Sequence, residues 1–448
     1  MEEITADIKK VLKSKSIGEM FRNVPWGFIE MLAAVPALLY AVVPVIQFIV
    51  NFGSVYAFSE TIYECDQKIL VFFAVLLVLM TGKSITEGKN ELLAKDSLRV
   101  YGFFLIFVLL MIISTFVNGF TDYALHGEFY RNESLFTYIK YFAVIFFSAS
   151  LIKSGKLKRL ILYTHLISGT ILSVAAFVHN HIHTIFQFCQ SDGVSAIFRN
   201  LNHFAYYLTT VILVSSVLFV LERKKVLKAV SLSVFVINSY VIIMNDTFGC
   251  YLACIAGMSF FLIIMLMMKR KINFTAVLPL IIFIVLSIAE NILYGQVFAN
   301  FGSTLDDMNA IANDIEIPDS TGSARWKLWT ETVKYIGEAP LLGHGVDGIA
   351  DRLFEVTEYT RTHNEYLQYA AFFGIPAALV YVSGVMCVFL NGLKNKLKLD
   401  VCTIAAITAA FGYLVSAFFG NTMYYTTPYL FILLGLSCVP DTNSTSTC

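Results

Sequence analysis

Apolar residues run in long blocks along this chain, and the charged residues collect in the gaps between them. Blocks near the ~20 residues that cross a hydrocarbon core fall at 28–50, 69–82, 100–117, 138–152, 160–178, 201–221, 229–244, 250–268, 274–293, 366–391, 401–419 and 427–440. A lipid-embedded backbone must satisfy its hydrogen bonds internally, which helices of this length do. The pattern predicts an all-α, polytopic membrane protein of about 12 transmembrane helices. The second, fourth, seventh and twelfth blocks are short, so the count is open by one or two.

Charge gives the blocks a direction. With the N-terminus inside, segments 1–25, 83–99, 153–159, 222–228, 269–273 and 392–400 carry 23 of the 32 Lys and Arg residues. The opposite segments 51–68, 118–137, 179–200, 245–249 and 294–365 carry 8, and Lys140 lies within a block. That asymmetry follows the positive-inside rule and predicts cytoplasmic N- and C-termini. The formal net charge of zero divides into +13 inside, −12 outside and −1 within the blocks. Charged residues make up only 14% and apolar ones 57%, with mean hydropathy +0.70. A soluble domain carries about 25% charged residues, so an ordinary soluble enzyme is excluded, as is a disordered chain. The absence of a basic field argues against nucleic-acid binding.

The organisation is then a cytoplasmic basic segment 1–25, spans over 26–293, a long exoplasmic loop 294–365, spans over 366–440 and a short cytoplasmic tail 441–448. The first segment is too charged, and the next block too long, for a cleaved signal. Ile4, Ile8, Val11 and Leu12 beside Lys9, Lys10, Lys13 and Lys15 fit a helix on the inner leaflet or a solvated tail. The eight cysteines are scattered without zinc or redox spacing; Cys250 and Cys254 read as core packing, and Cys65 and Cys189 both fall outside and could pair. No cofactor or metal is called for.

The long loop holds the candidate chemistry. Trp326, Trp329, Val333 and Ile336 mark an amphipathic helix over 323–338, its aromatic side at the membrane surface. Pro340 ends it, and Gly343, Gly345 and Gly348 mark turns. Thr362 and Glu365 form a capping-box pattern that places His363 in the first turn of the tenth span. The positive helix end keeps an imidazole there neutral and able to accept a proton; a helix-start polar residue is the plainer reading. Five of the eight outer bases are arginine, namely Arg131, Arg199, Arg325, Arg352 and Arg361, against five of 23 inside. Arginine grips phosphate bidentately, so an anionic ligand outside is one reading and solvated surface charge the other. His179, His181 and His183 read as interfacial, or as a metal site if extended. Lys140 and Glu290 read as snorkelling side chains, His165 and Glu30 as packed or interfacial groups. Tyr424, Tyr425 and Tyr429 read as aromatic belt or a sugar-stacking surface.

An ordered series of motifs resembles the O-antigen ligase and O-antigen polymerase superfamily. It comprises Gly127 with Arg131-Asn132-Glu133-Ser134-Leu135, then Arg199-Asn200-Leu201-Asn202-His203, then Ser323-Ala324-Arg325-Trp326. Ala339-Pro340-Leu341-Leu342-Gly343-His344-Gly345, His363-Asn364-Glu365-Tyr366-Leu367, Phe373-Gly374-Ile375-Pro376 and Thr427-Pro428-Tyr429 follow. The resemblance implies an inverting, metal-independent glycosyltransferase of the bacterial plasma membrane, with its active site on the outer face. Its donor would be a glycan on undecaprenyl pyrophosphate and its acceptor a glycan or lipid, with membrane lipid, a chain-length regulator and a flippase as further partners. Carried over by motif, His363 would assist the acceptor hydroxyl and Arg325 would hold pyrophosphate. Arg131 and Arg199 are weaker pyrophosphate candidates, and Asn202, Asn364 and Trp326 complete the expected substrate-binding set. One departure stands out. Where the family often has Ser-Arg-Gly, this chain reads Asp246-Thr247-Phe248-Gly249; another outer arginine replaces the missing one, or the donor is held differently. Polymerisation of surface-polysaccharide repeat units is the preferred activity, with ligation to lipid A-core or protein as the alternative. A lipid-linked-sugar flippase or transporter is a third reading, against which the two halves show no match.

Overall fold

The computed structural model describes residues 9–51, 55–88, 95–127, 133–183, 185, 195–198, 200–295, 325–394 and 399–438. Among them there are helices and no strands. The first half contains α1 (Ile17–Asn23), α2 (Trp26–Asn51), α3 (Val55–Glu87), α4 (Lys95–Asn118), α5 (Asp122–His126), α6 (Leu135–Leu151), α7 (Gly155–His181) and α8 (Leu201–Leu221). The second half contains α9 (Lys225–Asn245), α10 (Phe248–Met267), α11 (Phe274–Tyr294), α12 (Arg325–Glu338), α13 (Ala350–Thr357), α14 (Glu365–Phe373), α15 (Ile375–Lys394), α16 (Val401–Ser416) and α17 (Thr427–Cys438). Ten helices, α2, α3, α4, α7 to α11, α15 and α16, are long and apolar enough to cross a membrane. All twelve apolar blocks are helical, but α6 and α17 have only 17 and 12 residues. At 1.5 Å per residue they reach about 26 and 18 Å, so ten crossings are supported and the expected twelve are not. The protein is an all-α, multi-pass membrane protein.

α8 forms the axis of the bundle, with 89% of its span buried. It packs against α9, α16, α10 and α7. Gly257 of α10 and Gly412 of α16 face Leu213, and a Cβ at either would lie 2.4 or 2.0 Å from its side chain. Small residues at such contacts let helix backbones approach, which matters where lipid supplies no hydrophobic force between helices.

Polar contacts sort the helix ends into two groups. At one end, Glu30 of α2 accepts the backbone N–H groups of Lys153 and Ser154 ahead of α7. Arg159 of α7 pairs with Glu222 after α8 at 2.6 Å, and the buried Lys158 donates to Thr403 of α16 at 3.1 Å. Lys83 near the end of α3 donates to the Arg22 carbonyl of α1 and pairs with Glu87. At the other end, Asn245 at the end of α9 reaches Leu201 of α8, and Asn118 of α4 reaches Gly343. Successive helices thus alternate between two ends of the bundle. Lys140 and Glu290 differ from the snorkelling reading: both are buried in the protein interior.

The tenth span is not one helix. It breaks at Gly374 (φ 89°, ψ 161°) between α14 and α15. The segment after α12 docks on that break: His344 N–H donates to Ala371 O and Gly345 N–H to Phe372 O, each at 2.9 Å. In return Ile375 N–H donates to Pro340 O at 2.8 Å, and Ser114 of α4 adds a bond to Phe372 O. Carbonyls orphaned at the end of α14 are thereby satisfied by the Pro-Leu-Leu-Gly-His-Gly run. A Cβ on Gly374 would sit 2.2 Å from Leu341 O, and one on Gly343 (φ 64°) 2.4 Å from the Phe372 carbonyl carbon. Gly343→Ala and Gly374→Ala are each expected to lose more than the ~1–2 kcal/mol of a left-handed non-glycine residue. Gly337→Ala, on α12 with open space around it, should gain about 0.5–1 kcal/mol. Thermal unfolding of detergent-purified protein checks the contrast, and equal melting of all three variants would refute the interlock.

Candidate active site

The site lies at the second group of helix ends, around the turn that precedes α14. The helix does not start as a capping box. Asn364 is the N-cap, its side chain accepting the N–H groups of Tyr366 and Leu367 at 3.0 Å. Thr362 bonds instead to Asn364 O, and Glu365 is buried and accepts from the Tyr413 hydroxyl at 3.2 Å. With φ 49° His363 cannot be the first helical residue, so the cap falls to Asn364, itself a strong N-cap type. His363 therefore stands before the helix rather than in its first turn, with φ 49°. Its backbone N–H donates to Asn421 Oδ1 at 2.8 Å, and its ring meets Tyr359 edge-on at 5.5 Å.

His363 lines a cleft of about 370 Å³ together with Asn200, Asn202 and His203 from the start of α8, Arg361 and Asn421. Burial, followed by the charges of Arg325 and Arg361, pushes the His363 imidazole down to about 4. The ring is neutral at physiological pH, but through desolvation and nearby guanidinium groups rather than through a helix end.

Behind the cleft sits a buried ionic cluster. Arg361 donates to Asp347 Oδ2 at 3.0 Å and lies 3.0 Å from its Oδ1. Glu133, 3.5 Å from the same guanidinium, is fully buried. Its Oε2 also accepts from Tyr138 at 2.6 Å, Gln368 at 3.1 Å and Thr422. Tyr123 completes the other flank with a 3.1 Å bond to Asp347. Desolvation raises the Glu133 carboxyl to about 7, even though Arg361 and the bonds from Thr422 and Tyr138 pull it down. Beyond Asp347 opens a second cavity of about 330 Å³, lined by Asn118, Thr121, Tyr123 and Asp351 among others.

The residues expected from the sequence fare unequally. His363 and Asn202 meet in the cleft. Arg325, the first residue of α12, is close enough for its charge to act on His363, and its Nε is buried without a hydrogen bond among the described residues. Asn364 spends its side-chain oxygen on the helix cap. Trp326 is 37% exposed and is not among the cleft-lining residues. Arg131 and Arg199 lie outside the described residues, as do Cys189 and the Cys65 side chain. The inward face of α12 is Leu328, Thr332, Tyr335 and Ile336, shifted from the expected stripe, while Val333 points outward. Among the described histidines of the His-x-His-x-His run, His179 accepts the Ile185 N–H and His181 stacks near Phe177. Sequence reasoning missed Glu133, Asp347 and Asn421 as parts of this site. Glu133 stood inside a quoted motif, but nothing in the spacing marked its partners.

The comparisons bear on this same region. Residues 233–382 match the O-antigen ligase family model. The matched stretch takes in α12 and α13, the docked Pro-Leu-Leu-Gly segment, the turn bearing His363, α14, the break at Gly374 and the start of α15. It supports an O-antigen ligase/polymerase type of membrane enzyme, in line with the motif resemblance. No curated relative matches the chain.

Removing the central cation should expose the logic of the cluster. Arg361→Ala strands Asp347 in the interior and is expected to cost about 3–5 kcal/mol. Glu133→Gln removes a charge the fold already disfavours and should cost no more than about 1.5 kcal/mol. The folded state holds the Glu133 proton up to about 7 instead of 4.5. That contribution is complete below pH 4.5 and is lost as pH rises to 7. Thermal melts between pH 5 and 8 should therefore show a flatter pH dependence for Glu133→Gln than for the parent protein. Identical slopes would contradict the raised carboxyl.

Proposed function

We propose that the protein is a glycosyltransferase that polymerises lipid-linked repeat units of a surface polysaccharide at the outer face of the bacterial plasma membrane. The observation that carries this reading is the cleft: a neutral imidazole, half-buried, beside two guanidinium groups, at the end of the bundle that the charge asymmetry assigns to the outside. The donor in this reading is an oligosaccharide on undecaprenyl pyrophosphate and the acceptor a second lipid-linked glycan.

The chemistry follows from those groups. The acceptor hydroxyl oxygen attacks the anomeric carbon from the face opposite the pyrophosphate, which inverts that centre. The hydroxyl proton passes to a ring nitrogen of His363, and the anomeric C–O bond pair leaves with undecaprenyl pyrophosphate. A positioned base of this kind contributes typically 10²–10⁴-fold. Arg325 balances the charge on the departing pyrophosphate, an electrostatic contribution that is strongest in a water-poor site. No step in this scheme requires a metal. Ligation of the finished glycan to lipid A-core or protein is the second reading, favoured by the description of the matching family model. Departure from the family pattern at Phe248 tips the choice to polymerisation.

Extension of a lipid-linked repeat by purified protein tests the proposal. Arg325→Ala and His363→Asn should each reduce extension at least 100-fold with protein level intact; asparagine tolerates the left-handed backbone of position 363. Single-repeat glycan in a deletion strain supports polymerase, whereas long unattached polymer indicates ligase. The rate should stay nearly flat from pH 7.5 to 5.5, because the base holds no proton until about pH 4. An ordinary imidazole near 6.5 would lose about tenfold over that range, and such a loss would contradict the lowered His363 imidazole.

A further inference from the structure

His363 is held in place by a residue 58 positions downstream. Asn421 is 7% exposed, lines the same cleft, and accepts the His363 backbone N–H at 2.8 Å. A β-bearing residue at φ 49° carries a conformational cost of about 1–2 kcal/mol, so its backbone relaxes toward the ordinary regions unless something holds it. The neighbouring turn residues are fixed by other bonds: Arg361 by Asp347 and Glu133, Thr362 by Asn364 O, and Asn364 by its cap on α14. Among the described residues, His363 has only the Asn421 bond at its N–H.

Asn421 is itself anchored. Thr422, next in the chain, donates to the buried Glu133 carboxyl and accepts from Gln368 at 2.7 Å. Gly420, on the other side, leaves room for Tyr206: a Cβ there would lie 2.0 Å from the Tyr206 hydroxyl. That hydroxyl donates to Phe419 O at 3.1 Å. The acceptor is therefore rigid on both flanks, which is what a group must be to set the geometry of another.

We propose that Asn421 is a positioning residue for glycosyl transfer, acting through the His363 backbone to aim the imidazole at the acceptor hydroxyl. The inference rests on His363 being the base, and its test is built to fail separately from that reading. Asn421→Leu removes the acceptor at similar size. It should lower kcat about 10–100-fold while leaving KM for donor and acceptor within twofold, since neither substrate loses a contact used for binding. Asn421→Asp keeps an oxygen acceptor at the same reach and should return kcat to within about fivefold of the parent. In a His363→Asn background, adding Asn421→Leu should change the residual rate by less than twofold, because a residue acting only through His363 has nothing left to act on.

Should Asn421→Leu fail to fold, Asn421→Ser shortens the side chain out of reach with less bulk, and the same kinetic pattern is expected. Independent, multiplying losses in the double variant would overturn the inference, as would an unchanged kcat in Asn421→Leu. A His363→Asn enzyme with the parent rate would instead overturn the base assignment and leave Asn421 as a structural residue.

Discussion

One buried cation organises this end of the molecule. The Arg361 guanidinium stands between Asp347 and Glu133, and through them it ties five separate parts of the chain together. Asp347 brings the turn after α12 and, through Tyr123, the short helix α5. Glu133 brings the start of α6, the middle of α14 through Gln368, and the segment after α16 through Thr422. A buried charge is tolerated only when paired and hydrogen-bonded, and here each bond made to satisfy that requirement also fixes an element of the cleft. The same ion pair is the partition between two cavities, since Arg361 lines one and Asp347 the other.

The docked Pro-Leu-Leu-Gly-His-Gly segment solves a related problem at lower cost. A helix that stops in mid-span leaves carbonyl groups that lipid cannot satisfy. The loop supplies N–H groups from His344 and Gly345, and the reversal at Gly374 gives the next helix a fresh start. What reads as a single apolar block is therefore a helix, a joint and a second helix, and the joint sets the height at which His363 stands.

Much of this was legible in the sequence, for a physical reason. Apolar blocks and charge asymmetry are properties of one residue at a time, so they located the helices and their alternation. The Trp-bearing loop helix, the glycine turns and the candidate positions Arg325 and His363 were legible as local motifs. The remainder depends on pairs. Glu133 with Arg361 and His363 with Asn421 are separated by 228 and 58 residues, and no local period records such a partnership. The cap of α14 went astray for a subtler cause: Thr362 and Asn364 are both good N-caps, and only the left-handed turn at His363 selects Asn364. The extent of the tenth span was missed because Gly374 and Pro376 interrupt a helix without interrupting its hydropathy.

The separation between Glu133 and Thr422 also bears on how the protein is made. They lie 289 residues apart, and Thr422 precedes only α17 in the described chain. During synthesis the carboxyl is made early, the Gln368 amide follows with α14, and the Thr422 hydroxyl that completes its surroundings arrives only after α16. Until then the Glu133 carboxyl lacks one of its hydrogen-bond donors and His363 has no Asn421 to hold its backbone. An arrested or truncated chain would carry every motif of the long loop yet lack the bond that holds the His363 backbone, so the cleft is complete only once the segment after α16 is in place.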